Sequence, residues 1–123
     1  MMRRSACPGA AIAFIFIGAT LLGGCETNRV KSNAELGLNQ QQAAGRALFD
    51  HYCSACHNAY SSSGSKGPGL KNLFGRQFLP SGLPANDRFV KQTIGAGRGM
   101  MPGFGDALTP DQLGSLMAYL HTL

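Results

Sequence analysis

"HYCSACHNAY", residues 51–60, holds two cysteines three positions apart and a histidine directly behind the second. Three chemistries use such a cluster: a structural zinc site, a dithiol redox pair and the covalent attachment of a haem. Each makes a different demand on the rest of the chain, and the fold follows from which demand is met.

A structural zinc ion is closed by four ligands, commonly two CxxC pairs or one pair with two well-spaced histidines. Here Cys53, Cys56 and His57 have only His51 and His121 as further histidines, and the adjacent Cys56 and His57 are awkward joint ligands for one tetrahedral ion. A dithiol redox pair usually opens a helix in a βαβ setting, where the helix dipole lowers the thiol pKa. This motif instead closes a predicted helix, and no strand pattern precedes it. Haem attachment needs both sulfurs on one side of a helical turn, with Cβ atoms roughly 5–6 Å apart. The two thiols then form thioethers with the two vinyl groups of one porphyrin edge, and His57 swings under the iron as proximal ligand. Haem is the favoured reading of the three.

The N-terminal end supports it. Arg3 and Arg4 start a positive region, and "AAIAFIFIGATLL", residues 10–22, is an uninterrupted apolar run of 13 residues. A spanning helix needs roughly 20, so the run reads as the core of a signal peptide. Export fits a haem attachment made outside the cytoplasm. Gly23 and Gly24 precede Cys25, and "LGGC" resembles the bacterial lipoprotein cleavage box, after which the thiol of Cys25 carries a lipid. The plainer alternative is an ordinary signal peptide with a cysteine near its cleavage site. The expected organisation is a signal peptide over 1–24, a polar flexible tether over 25–38 ("ETNRVKSNAELGL" after the cysteine) and one domain over 39–123, lipid-anchored at the periplasmic or cell-surface side of a membrane.

Removing Arg3 and Arg4 with the leader lowers the net charge from +5 to +3. Two haem propionates bring that close to neutral, which leaves a nucleic-acid role without electrostatic support. A domain this small is marginal by itself and usually relies on disulfides, metals or a cofactor. With Cys7 removed and Cys25 acylated, only Cys53 and Cys56 of the four cysteines remain. A disulfide framework is excluded, and the cofactor is expected to complete the core.

Around the motif the pattern is helical with long loops. Asn39 is a candidate N-cap for a helix to Tyr52, with Gly45 on the same side as Leu48, Phe49 and Tyr52. A glycine inside a helix costs about 0.5–1 kcal/mol relative to alanine, so Gly45 suggests close approach by another helix. "SSSGSKGPG", residues 61–69, is a loop, followed by a short expected helical piece carrying Leu70, Leu73 and Phe74. Asn86 caps a helix with Phe89, Val90, Thr93 and Ile94, expected to end at Gly95. "GAGRGMMPGFG", residues 95–105, carries too many glycines for a regular element. Thr109 and Gln112 form a capping box with Pro110 at the first helical position and Asp111 in the first turn, and Leu113, Leu116, Met117 and Leu120 make an apolar stripe. No strand-like alternation of useful length and no internal repeat is present, so the fold class is all-α.

A six-coordinate iron needs a second axial ligand, and a methionine thioether is a common partner that raises the reduction potential. Met100 and Met101 sit on the glycine-rich loop just before Pro102, and the pattern by itself does not separate them.

From residue 43 to 123 the chain resembles the class I c-type cytochromes, on "GRALFDHYCSACH", "GPGL", "MPGF" and "LMAYL" in order. The resemblance implies a small fold of three to five helices wrapped around one covalently bound haem c. It implies Cys53 and Cys56 as thioether attachments, His57 as proximal iron ligand, and Pro68 as the residue whose carbonyl orients the imidazole. Met101 takes the distal place, because the family pattern is MP followed by an aromatic, here Phe104; Met100 is the fallback. It also implies a close crossing of the first and last helices near Gly45, Phe49 and Tyr119. The haem is expected among Leu70, Leu73, Phe74, Phe78, Phe89, Ile94, Phe104 and Leu116.

The expected function is electron transfer by a membrane-tethered monohaem carrier, not an enzyme, with iron held by His57 and Met101 and redox proteins as donor and acceptor. Two alternatives stand beside it: a haem enzyme or gas or peroxide sensor with a labile methionine, and a cytochrome subunit of a larger respiratory or dehydrogenase complex. Lys31, Lys66, Lys71, Arg76, Lys91 and Arg98 form either a weak docking patch for an acidic partner or a solvated face.

Overall fold

A computed structural model describes residues 30–123. The stretch read as a signal peptide, 1–24, and Cys25 lie outside the described residues. Among the described residues three helices carry the fold: α1 (Gln40–Tyr52), α2 (Asp87–Ala96) and α3 (Pro110–Leu120). Among the described residues there is no strand, only isolated bridges between Phe78 and Pro84 and between Arg98 and Met101.

Each helix starts where its cap was expected. The Asn39 side chain accepts from Gln42 N while the Gln42 side chain accepts from Asn39 N, both at 2.9 Å. Asn86 caps α2 by accepting from Phe89 N at 3.2 Å, and Thr109 and Gln112 form the reciprocal box that opens α3. These bonds satisfy backbone donors that have no partner inside the helix.

Helices α1 and α3 cross at Gly45. A Cβ there would collide with the carbonyl oxygen of Ser115 and sit 2.9 Å from Tyr119 Cβ. Only a residue without a side chain lets the two backbones meet, which accounts for the costly helix glycine. The crossing buries Phe49, Leu116 and Tyr119, and the Phe49 and Tyr119 rings tilt against each other with centroids 5.6 Å apart. The buried Tyr119 hydroxyl pairs with that of Tyr60 at 2.9 Å, and α2 adds Val90 and Ile94 to the same core.

Two boundaries differ from expectation. The piece around Leu70, Leu73 and Phe74 is a run of turns over 71–75, not a helix. Asn72 adopts a positive φ of 55° and donates its N–H to the Leu123 carbonyl at 2.6 Å, which ties this turn to the end of the chain and breaks a helical path. Helix α2 continues one residue past Gly95 and stops at Gly97, whose φ of 74° turns the chain out. Upstream of α1, residues 32–38 at the end of the stretch read as a tether form a compact turn. Leu38 packs on the core, and Arg46 of α1, only 9% exposed, donates to Asn33 Oδ1 at 2.8 Å.

Candidate functional site

Cys53 closes α1, donating its N–H to Phe49 O at 2.8 Å, and the chain then curls so that Cys56 N and His57 N both donate to Cys53 O at 3.0 and 2.9 Å. The Cys56 carbonyl in turn accepts from Ser65, Lys66 and Gly67, at 3.0 to 3.3 Å. The loop over 64–67 is thereby wrapped onto the cysteine turn, and it delivers Gly67 and Pro68 beside His57.

His57 Nδ1 lies 2.8 Å from Pro68 O. A carbonyl can only accept, so Nδ1 carries a proton, and in the neutral ring the lone pair lies on Nε2. Gly67 packs on the ring: a Cβ there would sit 2.8 Å from Nδ1 and 3.0 Å from Nε2. The imidazole is thus fixed in tautomer by Pro68 and in position by Gly67, as a metal-ligating histidine requires.

Cys53, Cys56, His57 and Met101 line one cleft of about 390 Å³. Its walls are mostly apolar, with Leu70, Leu73, Ile94, Phe104 and Leu116 where haem contacts were expected. Phe74, Phe78 and Phe89 do not line it. Phe74 stacks on His121 with centroids 3.9 Å apart, Phe78 is 53% exposed, and the Phe89 ring lies under the Arg88 guanidinium. Tyr52, Leu79, Val90 and Leu120 line it instead. Val90 with Ile94, and Leu120 with Leu116, each stand four apart on one helix face, a spacing that marked them as buried but not as cleft wall.

The glycine-rich loop separates the two methionines. Arg98 N donates to Met101 O and Met101 N to Arg98 O, both at 3.0 Å, so Gly99 and Met100 form a two-residue turn. Gly99 has φ 58°, the positive first position of the II′ hairpin class. At the tip Met100 is 89% exposed, while Met101 packs against the core. The loop is anchored behind by Phe104 N to Ile94 O at 2.8 Å and Gly105 N to Gly95 O at 3.1 Å.

Of the six cations considered for docking, Lys66, Arg76 and Arg98 line the cleft, and among the described residues no Asp or Glu does. Arg76 is not a free docking charge: its Nη2 donates to the carbonyls of Gly69 and Lys71 at 2.8 and 2.6 Å.

The chemistry of the donor set fits a haem better than its rivals. Burial, and then the neighbouring Cys56, push the Cys53 thiol up to about 11, the opposite of the depressed thiol a redox pair uses. Among the described residues no three His, Cys, Asp or Glu side chains gather as a zinc ion would need. Two thiols, an imidazole with Nε2 free and a thioether around an apolar cleft match a covalently held porphyrin with two axial ligands.

Comparison with known proteins points the same way. The family model described as cytochrome c oxidase, cbb3-type, subunit III matches residues 40–120. The cbb3-type cytochrome c oxidase subunit FixP of Azorhizobium caulinodans is 34% identical over 96 residues, 77% of this chain and 31% of that protein. A quinohemoprotein alcohol dehydrogenase, ADH-IIG of Pseudomonas putida, is 34% identical over 79 residues, 63% of this chain and 10% of that protein. Cytochrome c6 of Chlorolobion braunii is 30% identical over 79 residues, 64% of this chain but 86% of that protein. The chain thus spans under a third of the oxidase subunit and a tenth of the dehydrogenase. No solved structure gives a significant match.

Proposed function

The chain belongs to the c-type cytochromes, in the family of cytochrome c oxidase, cbb3-type, subunit III, and from that membership we propose that it is a membrane-tethered monohaem electron carrier working outside the cytoplasmic membrane. As a c-type cytochrome it binds haem c covalently; when bound, the haem iron supplies a one-electron Fe(III)/Fe(II) couple.

In this reading Cys53 and Cys56 would hold the porphyrin through thioethers, and the His57 Nε2 and the Met101 thioether would ligate its iron. The observation that carries it is the His57–Pro68 hydrogen bond beside a cleft that His57, both cysteines and Met101 share. Pro68 holds the imidazole in the tautomer that leaves Nε2 available and strengthens it as a donor. The leucines and Ile94 that line the cleft would keep water from the iron. The backbone of Met101 is held on both sides by bonds to Arg98, which would keep its thioether in place and limit rearrangement on electron transfer. Lipidation at Cys25, with the polar residues that follow it, supplies the tether.

A reduced-minus-oxidised spectrum with a pyridine haemochrome assay on membranes tests this. Two-thioether haem, a methionine–iron absorption in the oxidised protein and lipid label on Cys25 are the expected results. Ready CO binding by the native protein would overturn the ligand set.

A second reading, a cytochrome subunit of a larger oxidoreductase, is favoured by the FixP and ADH-IIG relatives, of which the chain matches only a part. The chemistry at the iron is unchanged and the partner is fixed; co-purification of a larger complex from membranes distinguishes it.

A further inference from the structure

Electron transfer needs one methionine on this loop, and the chain has two in tandem. Outside the leader there are three methionines, and their environments differ sharply: Met100 is 89% exposed, Met101 is partly buried, and Met117 is 4% exposed in the core. The Gly99–Met100 turn holds Met100 out at the mouth of the cleft. Its side chain therefore stands open to solvent, while in the proposed ligation the Met101 sulfur is engaged on the iron.

We propose that Met100 is an oxidant-accessible modification site, converted by hydrogen peroxide to the sulfoxide while Met101 and Met117 stay as thioethers. In this step a sulfur lone pair of Met100 attacks one peroxide oxygen. The S–O bond forms as the O–O bond breaks, and the departing hydroxide takes a proton to become water. Sulfur loses two electrons and the peroxide gains them. A methionine sulfoxide reductase, drawing electrons from thiols, reverses the change. The sulfoxide is polar where the thioether is apolar, so the modification alters the cleft mouth without touching the iron ligand. The tandem then divides two tasks, ligation at 101 and oxidant contact at 100. This rests on Met101 being the ligand.

The test exposes the intact holoprotein to graded hydrogen peroxide and locates added oxygen by peptide mass spectrometry, with the methionine–iron absorption followed in parallel. Met100 is expected to oxidise on the order of tenfold or more faster than Met101 or Met117, as exposure dictates, with the absorption retained. In Met100→Leu the same dose is expected to leave all remaining methionines unmodified. Oxidation of Met101 or Met117 at a rate comparable to Met100, or loss of the absorption in step with Met100 oxidation, would overturn the proposal. Absence of the absorption before any peroxide is added would instead overturn the Met101 ligation on which it rests.

Discussion

His57 donates its Nδ1 proton to the carbonyl oxygen of Pro68 over 2.8 Å, and the residue before Pro68 is a glycine packed on the same ring. The bond and the packing are coupled, because Gly67 and Pro68 are carried on one loop that the Cys56 carbonyl holds with three N–H bonds.

Gly67→Ala is expected to push the imidazole off its seat and lengthen the bond to Pro68. A weaker bond makes His57 a poorer donor and favours Fe(II), so the reduction potential should rise. A rise of about 20–60 mV is expected, 59 mV being tenfold in a one-electron equilibrium. Potentiometric titration reads it; an unchanged or lowered potential with haem still bound would count against the coupling.

Gly45→Ala places a methyl on the Ser115 carbonyl, and backbone cannot give way as a side chain tip can. A destabilisation of about 2 kcal/mol is expected, a fall in Tm of roughly 8–16 °C for a domain of this size. Gly114→Ala in α3 is the control, since a Cβ there meets nothing within 4 Å. It should stabilise by about 0.5–1 kcal/mol. Thermal melts followed by circular dichroism decide, and equal effects at the two glycines would refute the crossing.

The cleft lies among Phe49, Leu73, Ile94 and Leu116, which are also core residues, so a haem held there would be one body with the hydrophobic core. The chain with Cys53→Ala and Cys56→Ala, prepared without haem, is expected to lose most of its helical signal. The lost contact is several hundred square ångströms of apolar surface at about 25 cal/mol per Å², comparable with the whole stability of a small domain. A cooperative melt from this variant would disprove the dependence.

Much of this was legible in the sequence because it is written in local chemistry. The caps at Asn39, Asn86 and Thr109 are side chain–backbone bonds three residues long, and the costly Gly45 announced a crossing. What misled was composition without geometry. Phe74, Phe78 and Phe89 are apolar enough for a haem wall, but Phe74 faces His121, Phe78 is exposed and Phe89 lies under Arg88. Whether a side chain between two loops points inward depends on loop path, which sequence spacing does not encode. The helix foreseen near Leu70 failed for a related reason, since the Asn72–Leu123 bond is a tertiary contact 51 positions apart in sequence numbering.

Tyr119 is 1% exposed, and its hydroxyl is pushed well above the usual phenol range by burial first and by its bond to Tyr60 next. A raised acid keeps its proton in the fold after the unfolded chain has lost it. Stability is therefore intact below about pH 10, the ordinary tyrosine value, and falls as pH rises beyond it. In the holoprotein Tm should drop between about pH 10 and 11, and Tyr119→Phe should flatten that drop. An identical alkaline profile in parent and variant would show that another group is responsible.

The two methionines give the sharpest separation of carrier from sensor. Met101 packs on the core between backbone bonds to Arg98, whereas Met100 stands at the tip of the turn. Met101→Ala is expected to abolish the methionine–iron absorption and to lower the potential by on the order of 100 mV, since axial ligands set potentials over a range of about 0.8 V and methionine raises them. It should also admit CO, which the parent should refuse. Met100→Ala should leave absorption, potential and CO refusal as they are, because Met100 borders the cleft only at its mouth and is 89% exposed, while Met101 packs against the core. If Met101→Ala retained a thioether–iron absorption that only the double variant lost, Met100 would be reaching the iron by a shift of the Gly99 turn. The pair would then work as a ligand switch, and the labile-ligand reading would replace the carrier.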